Sequence, residues 1–283
     1  MKVQKKILFF FIRAKLLLLS RFNKRKAGKE AFKMFCTPFP TVPLTRRTIF
    51  DDGEGITFTL NDQLIFGTRF NTEGTKKALV LHGFSSHSRN FHHYVRRLVK
   101  LGYVVYAFDA PAHGFSEGET TNAVEYSKMI LMAAQTYGPF DVYLAHSFGG
   151  MAICLALEEM VHDEKIKVVL IAPATETTSA IDSALKMLGI KSKLVKDALC
   201  DEIKQVSGRE ASWFSIRRAM KNIRASVLWI HDEDDDVTPL SDALKVKDDG
   251  YSNIKFMITK HLGHRRIYRD QSVLNSIFEF LKP

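Results

Sequence analysis

The sequence predicts an α/β fold. It has a mostly parallel twisted sheet with helices on both faces, antiparallel strands before it, and a small helical cap inserted at about 174–222. Three observations predict this. From residue 77, short apolar runs alternate with stretches of helical spacing. Those runs are apolar throughout, as expected of strands covered on both faces. About 50 residues then separate the runs KVVLIAP and SVLWIHD, far beyond an ordinary connection of ~2–6 residues.

The elements follow in order. GITFTL (55–60) and QLIFGTRF (63–70) read as strands joined at Asn61-Asp62, a hairpin turn pair. KALVLHG is the first run of the parallel set, and helical spacing follows from Ser88 to Leu101. VVYAFDAP, a Gly-rich loop and a helix over 121–137 come next. DVYLAHS leads into the helix MAICLALEEM, then KVVLIAP. The long insert holds helical patterns such as IDSALKMLG and SWFSIRRAM. Because it leaves from a strand end, a cap is expected at the carboxyl edge of the sheet, where α/β folds bind ligands. SVLWIHD (226–232) and NIKFMITK (253–260) complete the sheet. No period of 20–50 residues repeats, which excludes solenoids and propellers. Three parts are expected: a basic apolar segment with a Pro-rich linker (1–50), an α/β domain (51–283), and the cap (174–222) within it.

The net charge of +10 is unevenly placed. Residues 1–33 hold eleven Lys/Arg and one acid, Glu30, which is the whole excess; the rest of the chain holds 30 basic and 30 acidic residues. The α/β part therefore carries no bulk signature for nucleic acid. The apolar stretch Ile7–Leu19 is interrupted by Arg13 and Lys15, and a spanning helix needs about 20 apolar residues. Two readings stand for this segment: a helix packed on the domain with its basic residues solvated, or a peripheral anchor whose Lys/Arg meet anionic membrane. Three dispersed cysteines (Cys36, Cys154, Cys200) with no CxxC exclude a disulfide scaffold and zinc ribbons, and point to a reducing compartment, the cytoplasm. No metal site is expected, because Asp109 and His113 lack further ligands at metal spacing. No cofactor is expected either, since GxxxxGK[ST] and GxGxxG are both missing.

The chemistry gathers on a few strand ends. AHSFGG (145–150) lies between an apolar run and a helix. A serine on such a turn is strained and exposed, as nucleophiles are, and Gly149 and Gly150 leave room for strand and helix to approach. Ser147 is the candidate nucleophile, against the simpler reading of a helix N-cap. A base and an orienting carboxylate must converge on it. His264 is the candidate base, because Gly263 lets the chain turn its ring back; His261 is its local rival. Asp232, Glu233, Asp234, Asp235 and Asp236 are adjacent after SVLWI, and spacing alone does not choose among them. Backbone N–H groups of Phe84, after Gly83, and Phe148, after the serine, are the candidate oxyanion donors. Phe84, Phe115, Trp213 and Phe214 are the candidate substrate-binding aromatics.

With these residues in place, the chain resembles the α/β-hydrolase superfamily, in its serine-hydrolase branch of monoacylglycerol-lipase-like and esterase-like members. The carriers are LVLHGF, FDAPAHGFS, AHSFGG, HDEDDDVTP and LGHRR, in family order over about 55–281. The resemblance implies Ser147 as nucleophile, Phe84 in the oxyanion loop and Gly263-His264 as the base. The family acid motif resembles HG-x-x-D-x-x-V-P; its fifth position, counted from His231, is Asp235. Two residues depart from the pattern: Ala145 stands at the first motif glycine of G-x-S-x-G, and Asp232 at the glycine after His231. The implied activity is hydrolysis of a carboxylic (acyl) ester, a small-molecule substrate, through a Ser147-His264-Asp235 triad and an acyl-enzyme. A non-catalytic binding module on the same fold, and an acyltransferase or peptidase with the same triad, are the alternatives.

Overall fold

The computed structural model describes residues 3–40 and 47–282. Its elements, in chain order, begin with two helices, α1 (Val3–Phe22) and α2 (Lys24–Cys36). Then come β1 (Glu54–Leu60), β2 (Gln63–Phe70), β3 (Lys76–Leu81), α3 (His92–Lys100), β4 (Tyr103–Phe108), α4 (Ala123–Tyr137), β5 (Val142–His146), α5 (Phe148–Leu157) and β6 (Lys167–Ile171). The insert contains α6 (Thr177–Met187) and α7 (Lys193–Ser207). The last elements are α8 (Ile216–Ala219), β7 (Ser226–Asp232), α9 (Leu240–Asp248), β8 (Ile254–Thr259), α10 (Gly263–Arg266) and α11 (Gln271–Leu281). Two compact units result. One takes the chain from Pro38 to Thr175 and from Ile216 onward; the other combines the N-terminal segment through Thr37 with Glu176–Ser215.

The first unit is built on an eight-stranded sheet in the order β1-β2-β4-β3-β5-β6-β7-β8. β2 is antiparallel to β1 and β4, and every pair from β4 to β8 is parallel. The β1–β2 hairpin closes through Asn61 and Asp62, at φ +50° and +61°. Two consecutive left-handed residues match the twist of paired strands, and Asn and Asp tolerate that conformation. β4 and β5 are buried along their whole length, which explains their unbroken apolar runs. On one face, Val80, Val105, Leu144, Val169 and Ile230 pack with Tyr94 and Leu98 of α3 and Val273, Ile277 and Phe278 of α11. Each such side chain contributes about 1.5–3 kcal/mol on leaving water. Elsewhere in the unit, α4 packs against α5; α4 starts with a reciprocal capping box between Asn122 and Glu125.

The helical stretch expected from Ser88 splits in two. Ser88–Phe91 forms a 3₁₀ turn and α3 starts at His92. The Ser88 N–H donates to Asp109 Oδ1 at 2.7 Å, so the first turn is bound to the loop after β4.

The second unit is helical. α2 begins at Asn23, whose side chain accepts the Lys26 N–H. Its buried face is Ala27, Gly28 and Ala31, and it packs on α7, which buries Val195, Ala198, Leu199 and Glu202. A Cβ on Gly28 would lie 2.5 Å from the Ala198 carbonyl oxygen, so only glycine permits this helix approach. α1 packs on both α2 and α7. The basic segment and the insert, distant in sequence, thus form one packed body. SWFSIRRAM, read as one helix, is broken into a 3₁₀ turn (Ala211–Trp213), α8 and a second 3₁₀ turn (Met220–Asn222). The break falls at Ser215, whose hydroxyl donates to Glu176 Oε1 at 2.7 Å and whose backbone bridges Glu176.

Candidate active site

β5 ends at His146 and α5 starts at Phe148, leaving Ser147 alone on the turn at φ +53°, ψ −118°. That conformation costs a non-glycine residue about 1–3 kcal/mol. It is held because the Ser147 N–H donates to the Ile171 carbonyl on β6, at 3.0 Å. The crossing behind it is tight at Gly149, where a Cβ would lie 2.7 Å from the His82 oxygen and 2.9 Å from that of Leu81. Ala145 lies within β5, fully buried, with Leu81 and Leu170 beside it on the neighbouring strands. Its methyl group therefore sits inside the sheet's own packing.

β8 delivers the histidine. Gly263, at φ +61°, turns the chain, and His264 is buried with Nε2 2.9 Å from Ser147 Oγ. Its Nδ1 lies 2.8 Å from Asp235 Oδ2, a carboxylate with no exposed surface. Asp235 also accepts the N–H groups of Val237 and Thr238 and the Thr238 hydroxyl, at 2.8–2.9 Å. Burial pushes the Asp235 carboxyl up, but the hydrogen bond from His264 and these donors outweigh it, so it titrates below the usual range. An ionised Asp235 only accepts, which makes His264 Nδ1 the protonated nitrogen. The Nε2 lone pair then faces the serine hydroxyl. The rival His261 is exposed and pairs with Asp234 instead, at 2.9 Å.

The loop after β3 supplies the other side. A Cβ on Gly83 would lie 3.0 Å from both Ser147 Cβ and His146 Nδ1, so this loop approaches the serine turn closely. Phe84 follows it, its ring edge-on to Phe148 at 5.5 Å. Phe148 opens α5, and its N–H is one of those a helix start leaves without an intrahelical acceptor. Ser85 stands at φ +52°; its N–H donates to His113 Nε2 at 2.9 Å, and its hydroxyl oxygen accepts the Phe39 N–H at 2.8 Å. Of the other aromatics, Phe115 is exposed and lies edge-on to Phe66 of β2. Trp213 and Phe214 belong to the helical unit, edge-on to each other, with Phe214 buried. Asp109 holds its own loop, accepting the N–H groups of Ser88 and Phe115.

Four residues have roles here that sequence reasoning did not assign. Asp232, noted as one of five adjacent acids and as a departure from glycine, is buried and accepts from Asp234, Leu262 and Gly263 N–H and from the Thr259 hydroxyl. It ties the acid-bearing loop to the histidine-bearing one. His146 donates through Nε2 to the His264 carbonyl at 3.1 Å, its ring 4.8 Å from that of His264. Burial pushes its pKa down to about 3, so it stays neutral. Thr238 bridges Asp235 and His264, and His113 braces the Phe84 loop. Their signal in the sequence was adjacency to the motifs, which does not distinguish a brace from a bystander.

A strained serine at a strand-to-helix turn, in line with a buried histidine and a buried carboxylate on a largely parallel sheet, defines a class. The chain has the α/β-hydrolase fold. The family model described as serine aminopeptidase, S33, matches residues 73–212. Human monoglyceride lipase is 31% identical over 140 residues, 46% of this chain and 46% of that protein, so the match spans about half of the relative's length. Among solved structures, an esterase of Pyrococcus furiosus aligns with TM-score 0.64 at 17% identity, covering 87% of this chain and 95% of that one. A monoacylglycerol lipase of Paleococcus ferrophilus aligns with TM-score 0.59 at 24% identity, covering 77% and 98%.

Proposed function

We propose that the protein is a serine hydrolase that cleaves a carboxylic ester through an acyl-enzyme. Ser147 Oγ attacks the ester carbonyl while its proton passes to His264 Nε2. The N–H groups of Phe84 and Phe148 hold the resulting oxyanion, and the imidazolium is stabilised by Asp235. His264 then returns the proton to the leaving alkoxide, and a water activated by the same nitrogen releases the acid. The observation that carries this reading is the continuous relay from Asp235 Oδ2 through His264 to Ser147 Oγ, at 2.8 and 2.9 Å. Relatives named monoglyceride and monoacylglycerol lipases favour a fatty acyl ester of a small alcohol as substrate. The test is labelling by a fluorophosphonate probe. Wild type should label and Ser147→Ala should not; a folded wild type that stays unlabelled removes the assignment and favours a binding module.

The description of the matched family as an aminopeptidase supports a second reading, hydrolysis of a peptide-like amide by the same relay. Paired assays on p-nitrophenyl butyrate and aminoacyl p-nitroanilides separate the two. The basic segment 1–33 supports a peripheral contact with anionic membrane, since it carries the chain's entire excess charge.

A further inference from the structure

The apolar residues of α1 surround the helix when read as sequence, but packing sorts them into two faces. Phe9, Leu16 and Ser20 are buried, on the side packed against α2 and α7. Ile7, Leu8, Phe10, Phe11, Leu18 and Phe22 are exposed, between 51% and 82%. At 100° per residue, Ile7, Phe11, Leu18 and Phe22 fall within about 60° of one another, opposite Phe9 and Leu16. They form a stripe of about 22 Å along the helix, from 15 steps of 1.5 Å. Large apolar side chains rarely line up this way on a surface that meets only water.

We infer that this outward face of α1 lies in the plane of an anionic lipid bilayer, with Ile7, Phe11, Leu18 and Phe22 sunk among the acyl chains. The inference rests on the membrane reading of the basic segment given above and is independent of the serine chemistry. Lys15 and Arg21 flank the stripe on the helical wheel and are exposed; Lys15 pairs with Glu30 of α2 at 2.7 Å, and the stem of Arg21 can reach headgroups. Arg25, Lys26 and Lys29 on α2 are exposed as well. A bilayer carrying negative charge answers both features: it takes up the apolar face and attracts the surrounding cations. A second copy of the chain answers only the first, because pairing would oppose two segments of net charge +10. Spanning is ruled out among the described residues, where no helix is long and apolar enough to cross a membrane. A stripe running the length of the helix requires the axis to lie parallel to the surface, with the apolar side entering about 5–10 Å.

The test uses the full chain and vesicles of phosphatidylcholine with and without 30 mol% phosphatidylserine. Wild type should co-sediment with the anionic vesicles. Phe11→Gln/Leu18→Gln/Phe22→Gln should bind at least ~10-fold more weakly while ester hydrolysis in solution is unchanged. Arg21→Gln/Arg25→Gln should lose the preference for phosphatidylserine. Phe11→Trp, a milder change, should show blue-shifted emission on binding and quenching by brominated acyl chains. Wild type that ignores both vesicles overturns the inference together with the membrane reading. Binding of the triple variant equal to wild type, or an unquenched Trp at position 11, overturns the buried face while leaving the charge reading in place. A wild-type dimer that the triple variant converts to monomer overturns it in favour of a second copy. Vesicle binding by Ser147→Ala separates all of these outcomes from the catalytic assignment.

Discussion

The Asp232 carboxylate accepts the Gly263 N–H at 2.8 Å, so a residue on the acid side of the site holds the chain immediately before His264. With Leu262 N–H, Asp234 N–H and the Thr259 hydroxyl also on it, this one carboxylate is the hinge pin between the two loops that must align. Asp232→Ala removes the acceptor of four partly buried donors, each hydrogen bond being worth about 0.5–1.5 kcal/mol. We expect a loss of at least ~2 kcal/mol in urea unfolding and a fall in kcat of tenfold or more with little change in KM, since the substrate is not touched. A fall confined to stability would make Asp232 purely structural.

Asp235→Asn keeps the shape beside His264 but offers an N–H or a weaker acceptor where an anion stood. The imidazole then favours the wrong tautomer and its cation is left uncompensated. A loss in kcat of about 10⁴-fold on p-nitrophenyl butyrate is expected. Asp234→Asn, which alters the partner of exposed His261, should stay within about twofold of wild type. Equal losses in both would mean that neither acid orients the base.

The two small positions around Ser147 should respond in opposite ways to a change of one methyl. Gly149→Ala drives a Cβ to 2.7 Å from backbone oxygen, which cannot yield as a side chain can. Loss of soluble folded protein, or destabilisation by about 3 kcal/mol or more, is expected. Ala145→Gly removes a buried methyl from β5 and should cost about 1 kcal/mol without raising kcat. A gain in kcat for Ala145→Gly would show that the alanine strains the turn.

Buried histidines, His231 among them, set an acid limit on stability. Burial pushes His82 down to about 4 and His113 and His146 down to about 3, from 6.5. His82 and His113 each use both ring nitrogens when neutral, accepting the N–H of Ala110 and Ser85 respectively. Protonation in the unfolded chain below pH 6.5 therefore favours unfolding. Their contribution is complete above pH 6.5 and is lost as pH falls toward 3–4. Tm should drop steeply over that interval, reflecting on the order of a few kcal/mol, and His113→Gln should flatten the slope. Asp232 and Asp235, both held below the usual carboxyl range, add a loss in the same direction below about pH 4.

His113 also permits a test of the Phe84 loop. His113→Ala removes the acceptor of the Ser85 N–H, and the loop then hangs on the Ser85 hydroxyl and the Phe39 N–H. A fall in kcat of about 10–100-fold is expected, because a donor that wanders no longer meets the oxyanion.

Much of the fold was legible because its signals are local. The unbroken apolar runs at 142–146 and 167–171 coincide with buried strands β5 and β6, and SVLWIHD is β7 from end to end. The Asn61-Asp62 turn was legible for the same reason: its backbone conformation is a property of the two residues occupying it. Ser88–Phe91 was less legible, since a bond to Asp109, 21 positions away, decides whether that turn is helical. Within the site, the turn bearing Ser147 and the Gly263-His264 pair could be located from chain order, whereas the braces His146, Thr238 and His113 could not.

The chain's own order of residues thus determined where strands begin, where the sheet is interrupted and which segments carry hydroxyl, imidazole and carboxylate groups, because periodicity and turn chemistry act over a few residues. Tertiary structure alone decided the rest. Spacing does not choose among five consecutive acids, and only the motif resemblance pointed to Asp235; in the structure Asp235 is enclosed against an imidazole, while Asp232 is turned to the opposite loop and Asp234 to solvent-exposed His261. The apolar residues of α1 likewise have no inside or outside until α2 and α7 cover one face. In each case the physical cause is the same: burial and hydrogen-bond partners are assigned by groups distant in the chain, and they change the energy of a side chain without leaving a mark on its neighbours in sequence.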